Sequence, residues 1–189
     1  HQHPPATLRS RCPVPARTRK RSLAPVEITS YAALWFLPFA LPLCAYTIYT
    51  DLAFMRITNV TVIALAGVFV IIGPIVLPFD SYLWHLLAMV AALVVGIFMN
   101  AGGLMGAGDA KFIAAATPFF ALGDLQFLMA LFMTTLIAAY IIHRAAKYSP
   151  LRKLAPQWVS WHEAKKFPMG LALGTVLGAY LMLGAYFGA

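Results

Sequence analysis

Long apolar runs separated by short polar stretches fill the chain from residue 30 to residue 189. Most runs extend over about twenty residues, the length of a helix that crosses the hydrocarbon core of a bilayer, without strand alternation or heptads, and the fourth is shorter. The pattern therefore predicts an all-α, polytopic integral membrane protein with about six transmembrane helices. The predicted spans are residues 31–50, 60–79, 82–99, 110–122, 125–143 and 168–187.

The composition excludes an ordinary soluble enzyme. Hydrophobic residues make up 61% of the chain and charged residues only 11%, whereas soluble domains carry about 25% charged residues. The chain has 6 acidic side chains, too few to keep a globule of this size in solution. The lipid bilayer is therefore the predicted environment of one membrane domain, residues 30–189.

The basic residues concentrate in two blocks that flank the membrane segments. Residues 1–29 are rich in proline and arginine and show no hydrophobic periodicity, which is typical of a disordered tail. The second block, residues 144–166, contains two tryptophans and is typical of the membrane interface. Because the charges flank membrane segments, the net charge of +8 indicates topology and no nucleic-acid partner.

The loops can be sorted by side, because each crossing changes the side of the membrane. The loops after spans one, three and five share one side and hold Arg56, Lys111 and the second basic block, whereas the other loops carry no lysine or arginine. The positive-inside rule therefore places these three loops in the cytoplasm. The basic tail falls on the opposite side and argues against this orientation, but the loops receive more weight.

Two carboxylates fall on the same side of the membrane. Asp51 ends the first predicted span and Asp109 begins the fourth, with two crossings between them. From Asp109 to Gly123 a helix would extend about 22 Å, less than the roughly 30 Å of hydrocarbon, so a full crossing places Asp109 below the membrane surface. An ionisable group at that depth usually faces a partner or a water-filled cavity, and Asp51 is the available partner.

Two carboxyl groups in a low-dielectric site can hydrolyse an amide bond. Because both cannot ionise together, one keeps a proton while the other is charged and takes a proton from water. Gly106 and Gly108 remove side chains beside Asp109, which would let an extended substrate backbone approach. Each aspartate taken alone is also explained as a solvated or capping residue. Their position on one side of the membrane favours a functional pair.

Three further polar residues have both a functional and a structural interpretation. Lys111 could stabilise a charged carboxylate or contact a substrate, or simply extend to the membrane interface. Asn59 could orient Asp51 by a hydrogen bond or cap the second span. A metal site of Asp51, Asp109 and His143 is conceivable, but a single histidine at a basic helix end is more often interfacial, and no metal is expected.

Other features predict structural roles. Asp80 and Asp124 fall on the opposite side and are interpreted as loop carboxylates, with Asp124 a candidate N-cap of span five. Gly170, Gly174 and Gly178 are spaced by four in span six, which permits close helix packing.

Three segments are typical of one family of membrane enzymes: DLAFMRITN at 51–59, GAGDAK at 106–111 and FPMG at 167–170. With six predicted spans, they make the chain similar to the GxGD intramembrane aspartyl peptidases, specifically the bacterial prepilin peptidases of the type IV leader peptidase family. The resemblance covers residues 30–189. The chain lacks the cytoplasmic insert of the larger members, which is linked to N-methylation of the new pilin, so it resembles the short tight-adherence (Flp) form.

The resemblance implies an aspartic-type endopeptidase that cleaves the basic leader of type IV prepilins and pseudopilins. The reaction would occur at the cytoplasmic face of the bacterial inner membrane, in a multi-pass protein that needs no metal or cofactor. The implied catalytic pair is Asp51 and Asp109. The supporting or substrate-binding positions are Gly106, Gly108, Lys111 and Asn59.

Two other classes of function fit the same residues. A small transporter or proton-coupled channel would use Asp51 and Asp109 as an ion relay, although the spans show no obvious inverted repeat. A non-catalytic subunit of a secretion or pilus assembly machine would keep its function when either aspartate is replaced. Prepilin cleavage that depends on both carboxylates distinguishes the peptidase from both alternatives.

Overall fold

A computed structural model of the chain describes residues 26–150, 156–161 and 167–188. Five helices among these residues are long and apolar enough to cross a membrane. The predicted all-α polytopic fold is therefore confirmed. The α-helices are α1 Ser30–Phe54, α2 Asn59–Val76, α3 Phe79–Ala101, α4 Ala107–Ala116, α5 Leu125–Tyr148 and α6 Met169–Phe187.

The fourth predicted span, residues 110–122, differs from what the structure contains. Helix α4 has 10 residues and begins early enough to include Asp109 in its first turn. It ends at Ala116, and the chain continues through two 3-10 turns, Thr117–Phe119 and Leu122–Asp124. Pro118 has no N–H to continue the α-helical hydrogen bonds, which explains the change of geometry. Helix α4 alone is therefore too short to cross a bilayer.

Helices α1 and α6 form the centre of the bundle. They pack against each other more extensively than any other pair of elements, and α6 contributes many buried residues. A Cβ atom at Gly174 would lie only 3.0 Å from the carbonyl oxygen of Cys44, so glycine is what lets the two backbones approach. Helix α4 packs between α2 and α3, which make few direct contacts with each other.

Asp124 organises the end of the bundle opposite to Asp51. The backbone N–H of Glu27 donates to both of its carboxylate oxygens, at 2.9 and 2.8 Å, and the Tyr180 hydroxyl donates to Oδ2 at 2.6 Å. The side chain is 5% exposed and makes no capping hydrogen bond to α5. Asp124 stands at the predicted N-cap position of α5. The prediction that its side chain caps this helix is wrong, because the Glu27 N–H and the Tyr180 hydroxyl occupy its oxygens.

The last four residues of the predicted tail pack on the membrane domain. Val26 forms a parallel β-bridge with Gly188 and is fully buried. Thr29 caps α1, since its Oγ1 accepts a hydrogen bond from the Ala32 N–H at 3.3 Å. The disorder predicted for residues 1–25 falls outside the described residues, as do positions 151–155 and 162–166 of the second basic block.

The buried contacts of Asp124 predict a loss of stability on substitution. We expect Asp124→Asn to lower the free energy of unfolding by about 2–3 kcal/mol, because the amide would replace a charged acceptor and leave a buried hydrogen bond unmade. The measurement is thermal unfolding of the protein in lipid nanodiscs. Asp80→Asn is the matched control, since Asp80 is exposed in the first turn of α3. Equal unfolding temperatures for the two variants would contradict this role of Asp124.

Candidate active site

Asp51 lies in the last turn of α1 and is held by the beginning of α6. The backbone N–H of Gly170, the second residue of α6, donates to Asp51 Oδ2 at 2.6 Å. The positive end of the α6 dipole therefore faces the carboxyl group. A Cβ atom at Gly170 would lie 2.9 Å from both Oδ2 and Cβ of Asp51. Position 170 thus has no space for a side chain while Asp51 keeps this orientation.

The chain turns sharply after Asp51. Met55 ends α1 in the left-handed conformation, with φ 54°, and its N–H donates to the Asp51 carbonyl oxygen at 2.9 Å. Thr58 then caps α2, because its Oγ1 accepts from the Thr61 N–H at 3.4 Å. This short connection brings Ile57 beside the beginning of α4.

Asp109 follows a glycine-rich connection between α3 and α4. Gly103 has φ +71°, in the left-handed region that favours glycine. A Cβ atom at Gly106 would lie 2.9 Å from Asp109 Oδ2, so this glycine leaves room for the carboxyl group. A Cβ atom at Gly108 would lie 3.4 Å from Ile57 Cβ, so the connection after α1 packs against this glycine.

The two aspartates line one cavity of about 910 Å³. They come from different helices, α1 and α4, and both carboxylates face the same opening. The structure therefore brings together the pair that the count of membrane crossings placed on one side. The other lining residues include Arg56, Ile57, Gly106, Gly108, Phe167 and Met169.

Lys111 and Asn59 lie beside this cavity without lining it. Lys111 Nζ donates to Asn59 Oδ1 at 3.1 Å. Asn59 is the first residue of α2, and Thr58, rather than Asn59, provides the cap. The amide oxygen of Asn59 thus accepts from Lys111 instead of orienting Asp51. Both residues line a separate groove between α2 and α3.

His143 belongs to an aromatic cluster and does not line the cavity of the aspartates. Its ring stacks on Trp161 at a centroid distance of 5.1 Å and meets Phe167 edge-on at 5.9 Å. Within residues 26–150, 156–161 and 167–188, no group of three or more histidine, cysteine or acidic residues could hold a metal ion. The site of Asp51, Asp109 and His143 considered from the sequence is therefore not assembled there.

The sequence patterns do not predict two features of the cavity. The hydrogen bond from Gly170 to Asp51 joins positions 119 residues apart, and the glycine spacing of span six indicated only packing. The FPMG segment was the available signal, since it includes both Phe167 and Gly170. Arg56 also lines the cavity, although its charge indicates only topology and no sequence pattern gives it a role at the site.

Comparison with known proteins gives one match. A sequence model of the type IV leader peptidase family matches residues 38–143, more than half of the chain, and this range includes Asp51 and Asp109. Searches of curated proteins and of solved structures found no match.

Proposed function

The chain belongs to the type IV leader peptidase family, and we propose that it is an aspartic endopeptidase that removes the leader of Flp-type prepilins. The observation that carries this proposal is the shared cavity of Asp51 and Asp109. Multiple apolar helices agree with a multi-pass membrane peptidase. The substrate type and the two-aspartate mechanism are the parts that we add to the family assignment.

The two carboxyl groups share one proton at the start of the reaction. The charged member removes a proton from water as the water oxygen attacks the scissile carbonyl carbon, and the neutral member donates its proton to the carbonyl oxygen. When the tetrahedral intermediate collapses, the C–N bond breaks and the leaving nitrogen takes a proton from one carboxyl group, while a hydroxyl of the intermediate returns its proton to the other as the new C=O forms. One water is consumed, one carboxyl and one amine form, and the dyad returns to its starting protonation.

Neighbouring glycines influence the orientation of the Asp51 and Asp109 carboxyl groups. The Gly170 N–H fixes Oδ2 of Asp51, and Gly106 leaves the Asp109 carboxyl room to turn. The cavity of about 910 Å³ is wide enough for several residues of an extended chain. Because a helix buries its carbonyl groups in its own hydrogen bonds, the substrate must unwind where it meets the two carboxyls.

We assign the cavity to the cytoplasmic face of a bacterial inner membrane. The described basic residues at this end of the bundle include Arg56, Lys111, Arg144 and Lys147, and the positive-inside rule favours this orientation. The proposed partners are therefore a prepilin or pseudopilin and the surrounding bilayer.

Co-expression in a host without its own prepilin peptidase tests the substrate type. We expect the Flp-type prepilin to lose its leader and to carry an unmethylated new N-terminus, as read by intact mass, because the sequence lacks the cytoplasmic insert that is linked to N-methylation in the larger members. Membranes with Asp51→Asn protein are the control. An uncleaved prepilin, or a methylated product, would contradict the proposed type.

A further inference from the structure

A groove of about 430 Å³ opens laterally between α2 and α3, with α4 as its floor. It exists because α4 separates the two helices, which touch each other little. Its walls are exposed to the surrounding membrane, with Ile63 70% and Val90 54% exposed. The wall and floor residues include Ile63, Ala66, Val90, Leu93, Ala114 and Ala115.

One end of the groove lies beside the catalytic cavity. Asn59 and Lys111 line this end. The residues two positions before them, Ile57 and Asp109, line the cavity itself. A second apolar pocket, of about 150 Å³ between α4, α5 and α6, is lined by hydrophobic residues alone. Neither this pocket nor the groove shares a lining residue with the cavity. Of the two, only the α2–α3 groove has polar residues, Asn59 and Lys111, at the end near Asp109.

We propose that this groove docks the transmembrane helix of the substrate, and that Lys111 and Asn59 bind its backbone where it unwinds into the cavity. The inference rests on the proposed peptidase function. The small residues Ala66, Ala114 and Ala115 let a second helix approach closely, which is how helices associate in lipid. The groove then delivers the peptide to Asp109 along the membrane instead of from the aqueous side.

The chemistry of Lys111 and Asn59 suits an unwound backbone. Peptide groups that leave a helix inside the membrane must find other hydrogen-bond partners. The Lys111 ammonium has more donors than the single bond to Asn59 Oδ1 uses, and the Asn59 amide adds both donor and acceptor capacity. An apolar lipid chain has no such groups to satisfy, so the polar end of the groove favours a peptide occupant.

Site-specific photo-crosslinking tests the docking surface. The photoreactive residue p-benzoylphenylalanine replaces Val90, or Val95 as the control, in full-length Asp109→Asn protein co-expressed with a Flp-type prepilin. The two valines lie on α3 and are 54% and 56% exposed, but only Val90 lines the groove. We expect several-fold more prepilin adduct from Val90 than from Val95. Equal adducts from both positions, or lipid adducts alone from Val90, would overturn the proposal.

A kinetic experiment with active protein gives a second readout. Ala66→Phe fills the groove and should raise KM for the full-length prepilin about tenfold with kcat little changed, the signature of lost ground-state binding. Ile71→Phe is the control, because Ile71 is 71% exposed on the same helix and does not line the groove. An unchanged KM in Ala66→Phe protein would refute docking while leaving the peptidase function intact. Failure of the wild-type protein to cleave would instead remove the proposed function, and the docking inference with it.

Discussion

Replacing either Asp51 or Asp109 by asparagine is expected to reduce the rate of leader removal at least about a thousandfold. Each amide is close in volume to the carboxyl group that it replaces, but it can neither accept the proton of water nor return one to the leaving amine. Because the two groups act as a unit, the double variant should be no slower than either single variant. The measurement is initial cleavage rate of a prepilin by protein reconstituted in lipid vesicles.

Asp80→Asn provides the control for this pair of substitutions. Asp80 is an exposed carboxylate on α3, at the opposite end of the bundle from the cavity. Its variant should cleave at the wild-type rate. If Asp51→Asn or Asp109→Asn protein also keeps the wild-type rate, the two-aspartate mechanism is wrong, and the transporter and assembly-subunit interpretations become the better ones.

Gly170→Ala is expected to lower kcat about a hundredfold, which is the order of loss that a displacement of about 1 Å causes at a reacting group. The added Cβ would meet Asp51 Oδ2 at 2.9 Å, so the carboxyl group or the first turn of α6 must move. The hydrogen bond of 2.6 Å from the Gly170 N–H would be weakened by either movement. KM should change little, because the substitution alters the orientation of Asp51 rather than the walls of the docking groove.

Gly178→Ala separates this effect from a general change in α6. A Cβ atom at Gly178 would meet only Leu41 Cδ1, at 3.4 Å, an ordinary contact. Both substitutions replace glycine by alanine in the same helix and gain similar helix propensity. Gly178→Ala protein should therefore keep its kcat and unfold normally. A wild-type kcat in Gly170→Ala protein would show that the α6 contact does not orient the reacting carboxyl group.

The membrane helices were predictable because their signal is local. A run of about twenty apolar residues has one stable arrangement in lipid, with all backbone hydrogen bonds inside the helix. The common side of Asp51 and Asp109 followed from counting crossings, which needs no knowledge of packing. The shortness of α4 was predictable only in part, since its 3-10 continuation depends on Pro118 and on the packing around it.

Contacts between distant parts of the chain could not be derived from the sequence. Asp124 accepts from the N–H of Glu27, 97 residues away, and Asp51 accepts from the N–H of Gly170, 119 residues away. Local patterns assigned Asp124 to a cap and Gly170 to helix packing, because propensities describe neighbours and not tertiary partners. Val26 is a third example. It belongs to a segment without hydrophobic periodicity, so the sequence gives no sign that it pairs with Gly188.

The most direct test of peptidase activity is the mass of the products that purified wild-type protein forms from one synthetic prepilin in lipid vesicles. We expect two peptides whose masses add up to that of the prepilin plus one water, with the basic leader as the smaller product. An intact prepilin after prolonged incubation with folded protein would contradict it.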